Sequence, residues 1–351
     1  SETSSGGPSP TEVAGTLITL GDSFEEGIRY AQSRIKGSCS MLVLTDKGVY
    51  IARDKLGRTP LITGKRHDAF AVSSETCAFP NLGFEVDRYV GPGEILLMTA
   101  EGIEQVRKPG GRMQICSFLW VYYGYPASSY EGINTEQVRY RCGAAIAKRE
   151  DVQADLVSGI PDSGIGHAIG FAHHAGIPYM RPYVKYTPTW PRSFMPQNQK
   201  VRDLVARMKL IPVRELIEGK RVIFCDDSVV RGTQLQDNVQ ILHEYGVSEI
   251  HMRIACPCLI YPCEYLNFSN SRSSLDLAGR KAILELEGSE NVALDEYGRD
   301  GSERHSAMVE KICSRLKLTT LRYQTLDDLV AAIGLPKEKL CTHCWDGSSY
   351  F

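Results

Sequence analysis

The sequence lacks a long apolar run, an excess of charge of either sign, internal repeats and low-complexity tracts. No apolar stretch approaches the roughly 18 residues that a membrane-spanning helix needs, so no membrane partner is expected. Lys and Arg total 40 against 42 Asp and Glu, a formal net charge of −2. A chain without a basic segment is not expected to bind nucleic acid. No secretory signal is visible, which favours a cytoplasmic location.

A disulfide framework is not indicated either, although the chain has eleven cysteines. The number is odd, and most of them lie in stretches patterned like strands or helices. The cysteines expected to be buried thiols of a reducing compartment are Cys39, Cys77, Cys142, Cys225 and Cys313. Cys341 and Cys344 differ, because a C-x-x-C spacing near the end of a chain suggests a metal or redox site.

The first part of the chain predicts antiparallel sheets. Residues 1–10 are polar and rich in Gly and Pro, so they are expected to form a loop, and the apolar spacing over 23–35 predicts a helix. Apolar strands then follow closely, with hairpin turns at 46–48 and at 101–102. Strands joined by such tight turns pair antiparallel. The stretch KPGGR at 108–112 suggests a domain boundary.

The second part changes to strand–loop–helix units, which predict a parallel sheet covered by helices. The predicted strands are 155–160, 221–227 and 249–257, and the predicted helices are 165–176 and 235–246. The chain of 351 residues, 42% of them hydrophobic, is long enough to form two domains or one large one.

Asp226 and Asp227 follow directly on a predicted buried strand. Ligands of open α/β sheets bind beyond the carboxyl ends of the strands, where these two residues are expected. Paired carboxylates there can accept hydrogen bonds from the hydroxyls of a ribose or hold Mg²⁺. The next residues, Arg231-Gly232-Thr233, open a predicted helix, whose N-terminal N–H groups suit a phosphate. Together these features predict a site for a phosphorylated sugar.

The same stretch, VIFCDDSVVRGTQ at 222–234, resembles the phosphoribosyl pyrophosphate (PRPP) motif of type I phosphoribosyltransferases. In the form D-D-S-x-V-R-G-T the stretch is similar to the motif of the amidophosphoribosyltransferase family, also called glutamine PRPP amidotransferases. Further stretches resemble this family in the same order along the chain. They are ARDKLGRTPLITGK (52–65), AVSSETCA (71–78), GIPDSG (159–164), ARMKLIPVRELIEGKRV (206–222) and LRYQTLDDLVAAIG (321–334).

The resemblance implies a mixed α/β and α+β protein. Residues 1–108 would be the C-terminal half of a class II glutamine amidotransferase domain, with the antiparallel sheets of an N-terminal-nucleophile (Ntn) hydrolase. Residues 109–351 would be a type I phosphoribosyltransferase domain with a parallel sheet and a cysteine-bearing tail. The implied enzyme is a pentosyltransferase that converts PRPP and ammonia, taken from glutamine in the complete family enzyme, to 5-phosphoribosylamine and pyrophosphate. This reaction is the first committed step of purine biosynthesis.

The family's PRPP-binding residues carry over to matching positions of this sequence. They are Asp162, Ser163, Gly164, Lys185, Arg192, Lys209, Asp226, Asp227, Ser228, Val229, Val230, Arg231, Gly232 and Thr233. Mg²⁺ would be held by Ser163, Asp226 and Asp227. The resemblance further implies purine nucleotides as feedback inhibitors and a homo-oligomer, a dimer or a tetramer.

The resemblance also extends the C-x-x-C pair to a set of four cysteines. The stretch ICSFLWVYYGYPAS (115–128) is similar to the family's C-S-x-E-Y-x-Y-F-x-R-P-D-S, and CPCLIYPCEYLNFS (256–269) to its S-P-P-x-x-x-P-C-F-Y-G-I-D. In the branch of the family that contains a 4Fe–4S cluster, the implied ligands are Cys116, Cys263, Cys341 and Cys344. Four sulfurs also suit zinc, and free thiols are the third alternative.

Several positions depart from the family pattern. The family's nucleophile is an N-terminal cysteine, whereas this chain starts with Ser1 and shows only the later half of that domain. Pro10 stands where the family has an aspartate that binds the glutamine amine, and the loop KYTPTWPRSF (185–194) diverges from K-N-R-Y-x-G-R-T-F. These departures leave two alternatives open: a PRPP-binding regulator without catalysis, and a phosphoribosyltransferase with a different amine acceptor.

Overall fold

The computed structural model describes residues 9–185, 210–266 and 273–350. The strands are β1 Met41–Thr45, β2 Gly48–Ala52, β3 Ile62–Arg66, β4 Ala69–Ser73, β5 Glu85–Tyr89, β6 Ile95–Met98, β7 Ile103–Arg107, β8 Ile115–Cys116, β9 Ser129–Tyr130, β10 Ile133–Asn134, β11 Leu156–Gly159, β12 Tyr183–Lys185, β13 Leu210–Pro212, β14 Arg221–Asp226, β15 Glu249–Ile254, β16 Thr320–Tyr323 and β17 Leu340–Cys341.

The helices are α1 Pro10–Ile18, α2 Phe24–Arg34, α3 Ala78–Asn81, α4 Thr135–Ala147, α5 Gly164–Ala175, α6 Arg214–Ile217, α7 Thr233–Glu244, α8 Ala278–Glu287, α9 Leu294–Tyr297, α10 Glu303–Arg315, α11 Leu326–Ile333 and α12 His343–Asp346. Short 3₁₀ turns lie at Ser274–Asp276 and Lys337–Lys339, and a π-helical turn at Leu119–Tyr123. Within these described ranges, no helix is both long and apolar enough to cross a membrane.

The first part of the chain forms two antiparallel sheets, as predicted. Their strand orders are β1-β2-β6-β7 and β4-β3-β5. Successive residues of a strand face opposite sides, and in β2 Tyr50 and Ala52 pack with Ile28 of α2, while Ile51 packs with Leu61 on the other side. The first sheet is therefore covered by a helix on one face and by residues leading into the second sheet on the other.

Helix α1 was not predicted. Its N-cap is Ser9, whose hydroxyl accepts a hydrogen bond from the Glu12 N–H at 3.1 Å, while the Glu12 carboxylate accepts one from the Ser9 N–H at 2.9 Å. This reciprocal capping box satisfies backbone donors that the first helical turn leaves unpaired. Pro10 is the first helical residue, where a missing N–H has no cost.

The second part contains a parallel sheet with strand order β11-β14-β15-β16, which confirms the predicted α/β architecture. On one face, Val222 and Phe224 of β14 pack in a core with α7, α8 and α10. On the other face, Ile223 and Cys225 pack against α4 and α5. The sheet thus lies between two helical layers, and its carboxyl edge carries Asp226. Nothing in the fold tests the boundary at 108, which stays a prediction.

Glycines allow helices α4 and α5 to pack at close distance. A Cβ on Gly143 would lie 1.9 Å from the His167 carbonyl oxygen, and one on Gly170 would lie 2.1 Å from the Tyr140 carbonyl oxygen. Both are backbone contacts that a side chain cannot relieve by rotating. This close packing places α5, and the loop before it, against the end of β14.

We expect Gly143→Ala to lower the free energy of unfolding by about 3 kcal/mol, because the new methyl forces α4 and α5 apart. Gly15→Ala is the matched control, since Gly15 is helical and a Cβ there meets nothing within 4 Å. That change should raise stability by up to about 1 kcal/mol through helix propensity. Denaturant unfolding of both variants measures the difference, and equal stability would contradict the close packing.

Candidate functional site

The two adjacent aspartates lie at the carboxyl end of β14, between β11 and β15. The Asp227 N–H donates to Asp226 Oδ1 at 2.9 Å, which turns the chain out of the strand. Asp227 is 5% exposed, and its carboxylate accepts hydrogen bonds from the hydroxyls of Ser163 and Ser228. Serines from two different loops therefore hold one carboxylate in place.

Burial raises the pKa of both carboxyls. For Asp226 the neighbouring Asp227 charge raises the pKa further, while the hydroxyls of Ser163 and Ser228 oppose the rise at Asp227. Two adjacent carboxylates that repel each other gain stability from a cation or from hydroxyl donors placed between them. This arrangement suits Mg²⁺ and the hydroxyls of a sugar.

The loop before α5 brings Ser163 to this edge of the sheet. Gly164 opens α5 directly against β14, where a Cβ would lie 2.3 Å from the Cys225 carbonyl oxygen. The Pro161–Asp162 peptide is cis, and the Asp162 carboxylate forms an ion pair with Lys185 Nζ. Ser163 of this loop thus contacts Asp227 directly, and the predicted Lys185 contacts the loop through Asp162.

The loop from Ser228 to Gly232 leads into the N-terminus of α7. Gly232 has φ +78°, a conformation that favours glycine, and Thr233 is the first helical residue, two positions before the predicted start. Val229 is buried, and the Val230 carbonyl accepts from the Ala278 N–H at 2.7 Å, so these two residues fix the loop by packing. N–H groups of this loop and helix end form the kind of site that binds phosphate.

The side chain of Arg231 contacts Asp276, with 3.6 Å between Nη2 and Oδ2. It also lines a cavity of about 250 Å³ together with Lys281 and Arg315. The structure therefore brings together the predicted residues of the two loops and Lys185. Arg192 and Lys209, the two remaining predictions for PRPP, lie outside the described residues.

Arg139 of α4 was not predicted from the sequence. This guanidinium is 3% exposed, and its charge lowers the pKa of Asp227 against the effect of burial. It donates to the carbonyls of Trp120, Tyr122 and Gly124 at 2.9–3.1 Å. Arg139 thereby connects the π-helical turn to the aspartate site.

The four cysteines singled out by the resemblance also lie together. Strand β17 pairs with β8 in parallel, in a register that sets Cys341 opposite Cys116. The thiol of Cys344 is hydrogen-bonded to that of Cys263, and its pKa is raised by this contact, by burial and by the other two cysteines. The Leu266 N–H donates to the Cys263 sulfur at 3.4 Å.

A group of four sulfurs is the donor set of zinc and of 4Fe–4S sites, so the residues fit such a cofactor chemically. In the part of the chain that the structure describes, no three His, Cys, Asp or Glu side chains are arranged so that they could hold a metal ion. The four thiols therefore lie near one another, but no three of them have the arrangement of metal ligands.

The expectation for the other cysteines holds in part. Cys142 and Cys225 are buried, whereas Cys39, Cys77 and Cys313 are only half-buried. The prediction of buried thiols was therefore wrong for these three. Cys39 and Cys77 precede β1 and α3, and Cys313 lies in the last turn of α10, so all three are near the ends of their elements.

Comparisons with known proteins agree with the resemblance. No family model matches the chain. The amidophosphoribosyltransferase of Bacillus subtilis is 39% identical over 260 residues, which are 73% of this chain and 54% of that protein. The amidophosphoribosyltransferase of Methanothermobacter thermautotrophicus is 33% identical over 321 residues, 91% of this chain and 62% of that protein. The chain thus spans little more than half the length of these relatives.

Two solved structures have the same fold. Glutamine PRPP amidotransferase from B. subtilis, complexed with ADP and GMP, matches with a TM-score of 0.80 at 32% identity. The match covers 97% of this chain and 70% of the amidotransferase chain. A structure of the allosteric regulatory enzyme of purine biosynthesis matches with a TM-score of 0.81 at 32% identity, over 97% of this chain and 69% of that enzyme's chain. Sequence and fold therefore agree, and the chain belongs to the amidophosphoribosyltransferase family.

Proposed function

We propose that the protein transfers an amino group from ammonia to PRPP, giving 5-phosphoribosylamine and pyrophosphate. The observation that carries the proposal is the convergence of three features at one edge of the parallel sheet. These are the Asp226–Asp227 pair, the loop with Ser163 that is bonded to it, and the loop that opens α7. Each matches one part of PRPP: the ribose, the pyrophosphate and the 5′-phosphate.

The reaction breaks the bond between the anomeric carbon and pyrophosphate while nitrogen attacks from the opposite face. Asp226 and Asp227 are proposed to accept hydrogen bonds from the ribose hydroxyls and to hold Mg²⁺ with Ser163. The ion, when bound, neutralises charge that develops on the pyrophosphate. N–H groups of residues 228–233 are proposed to bind the 5′-phosphate, which positions the ribose for attack.

Lys185 is proposed to receive the pyrophosphate. In the described structure its ammonium pairs with Asp162, and both side chains are about half exposed or more, at 47% and 66%. An exposed ion pair of this kind contributes little to stability. Lys185 can therefore exchange the carboxylate for a phosphate oxygen at small cost. Arg192 and Lys209 stay predicted partners of the same substrate.

We further propose that Cys116, Cys263, Cys341 and Cys344 hold a 4Fe–4S cluster, with zinc as the alternative. The group would link β17 and α12 of the C-terminal segment to β8 and to the segment after β15, because these elements supply its ligands. The B. subtilis structure contains ADP and GMP, and purine nucleotides are proposed to bind this chain also. A cytoplasmic homo-oligomer, a dimer or a tetramer, stays a prediction.

Pyrophosphate release from PRPP, measured with anaerobically purified protein and Mg²⁺, tests the function. We expect release with ammonium chloride and its loss when Mg²⁺ is removed with EDTA, because the carboxylate pair then repels the pyrophosphate. Glutamine in place of ammonium tests whether the chain also uses the family's nitrogen source. PRPP binding without release under any of these conditions would replace the proposal with a PRPP-binding regulator. Release only with another amine would assign a different acceptor.

A further inference from the structure

We propose that the cavity between α7, α8 and α10 is a second anion site, which takes inorganic phosphate or pyrophosphate through the side chains of Arg231, Lys281 and Arg315. The cavity has a volume of about 250 Å³ and lies beside the loop that opens α7. Asp226 and Asp227 do not line it, so it is separate from the carboxylate pair of the sugar site. The inference does not depend on the transferase reaction proposed above.

The walls of the cavity belong to elements that are packed together without any ligand. Ala278 of α8, together with Ile312 and Leu316 at the end of α10, forms the apolar part of the wall, and all three are buried. The Ala278 N–H donates to the Val230 carbonyl at 2.7 Å, which fixes the loop to α8. A Cβ on Gly232 would lie 3.5 Å from the Leu316 side chain, so the loop also lies close to the end of α10. The cavity is therefore formed before an anion binds.

Positive charge exceeds negative charge in the lining. The carboxylate of Glu285 is 2.5 Å from Arg315 Nη2, but it is also 3.4 Å from Nζ of Lys311, which does not line the cavity. Lys281 forms no ion pair with any residue that the structure describes. An anion in the cavity would therefore meet a net attraction.

Arg231 connects this cavity to the loop at residues 228–233. Its Nη2 is 3.6 Å from Asp276 Oδ2, in the turn before α8, and the two side chains are 48% and 31% exposed. A long ion pair at the surface is weak. The guanidinium can therefore turn toward an anion in the cavity at small cost, while the N–H groups of the loop keep the role proposed for them at the 5′-phosphate.

The size of the cavity indicates the class of anion. Pockets for drug-sized ligands begin at roughly 300 Å³, so this one suits inorganic phosphate or pyrophosphate better than a purine nucleotide. A guanidinium binds phosphate oxygens with two parallel hydrogen bonds, and an ammonium binds them as a point charge. A bound anion would link the loop to α8 and α10, because Arg231, Lys281 and Arg315 come from these three elements.

Titration calorimetry on wild type, Lys281→Gln, Arg315→Gln and the double variant tests the site. Inorganic phosphate, pyrophosphate and AMP are titrated separately in buffer without Mg²⁺, with excess ribose 5-phosphate present to occupy the loop at residues 228–233. Melting temperatures without anion show whether each variant folds. Lys311→Gln is the matched control, because it removes a cation that pairs with the same Glu285 from outside the cavity.

We expect wild type to bind phosphate or pyrophosphate in the presence of ribose 5-phosphate, and the tighter of the two identifies the ligand. Each single substitution should weaken this binding about ten-fold, the scale of one charge-assisted hydrogen bond, and the double variant should lose it. Lys311→Gln should bind as wild type does, and AMP binding should be the same in wild type and the double variant.

Four results would overturn the inference. Wild type that binds neither anion has no such site, and binding that ribose 5-phosphate abolishes would mean that the cavity and the loop form one site. Equal weakening by Lys311→Gln would assign the effect to general surface charge. Loss of AMP binding in the double variant would make the cavity part of a nucleotide site.

Discussion

Asp226→Asn is expected to lower ammonia-dependent pyrophosphate release by at least about 100-fold, the scale found when one group that stabilises a charged transition state is removed. The side chain keeps its shape, and its oxygen can still accept from the Asp227 N–H. What it loses is the negative charge that is proposed to hold Mg²⁺ and to strengthen hydrogen bonds from the ribose. The loss of activity should therefore not come from misfolding.

The same variant is expected to be more stable to heat than wild type at pH 7. Burial and the Asp227 charge raise the pKa of Asp226 in the folded state. Since the folded state binds this proton more tightly than the unfolded state, stability falls as the pH rises from about 4, the unfolded pKa, through the raised folded pKa. At pH 7, well above the unfolded pKa, wild type carries this penalty, and asparagine does not have it.

Melting temperatures of the two proteins should therefore differ at neutral pH and converge as the pH falls toward 4. Asp237→Asn is the control, because this exposed residue of α7 loses the same charge away from the pair. It should leave both activity and melting temperature near the wild-type values. An Asp226→Asn protein that is active, or that melts below wild type at pH 7, would contradict the assignment of the aspartate pair.

Much of the site could be predicted because its signals are local in sequence. The apolar run before Asp226 and Asp227 predicts a strand, and the glycine and threonine after them predict a turn and a helix start. The structure confirms the strand and places the helix start at Thr233. The hairpin signals at 46–48 and 101–102 were confirmed for the same reason.

Helix α1 had a local signal that the polar composition of residues 1–10 hid. The spacing of Ser9 and Glu12 is that of a capping box, and Pro10 suits a first helical position. The polar composition predicted a loop, but the capping hydrogen bonds of Ser9 and Glu12 stabilise a helix there.

Contacts between distant parts of the chain had no such signal. Arg58 and Cys341 are far apart in the sequence, and Arg139 precedes Asp227 by 88 residues. A buried arginine is recognisable only when the carbonyls and sulfurs around it are known. The sequence therefore predicts which residues carry the chemistry better than it predicts what holds them in place.

Cys344→Ser is expected to abolish iron binding and to lower the free energy of unfolding by about 3 kcal/mol. That is the stabilisation from a ligand whose free concentration is roughly 100 times its dissociation constant. Cys344 lies in α12, where its carbonyl accepts from the Ile260 and Tyr261 N–H groups, each at 3.0 Å. Next to it, the ring of Trp345 packs 5.0 Å from that of Phe118. A bound cluster would therefore hold the C-terminal segment against the core, and serine is a poor ligand for iron.

Cys77→Ser serves as the control, since this half-buried cysteine lies outside the group of four. It should retain the wild-type iron content and differ in stability by less than about 1 kcal/mol. Comparing the proteins with and without metal separates the cofactor from simple packing. After removal of iron by a chelator, wild type and Cys344→Ser should melt at nearly the same temperature, because the hydrogen bonds of α12 and the packing of Trp345 are common to both. A difference that survives metal removal would mean that the thiol of Cys344 stabilises the tail by its own contacts, and the stabilising role assigned to the cluster would be wrong.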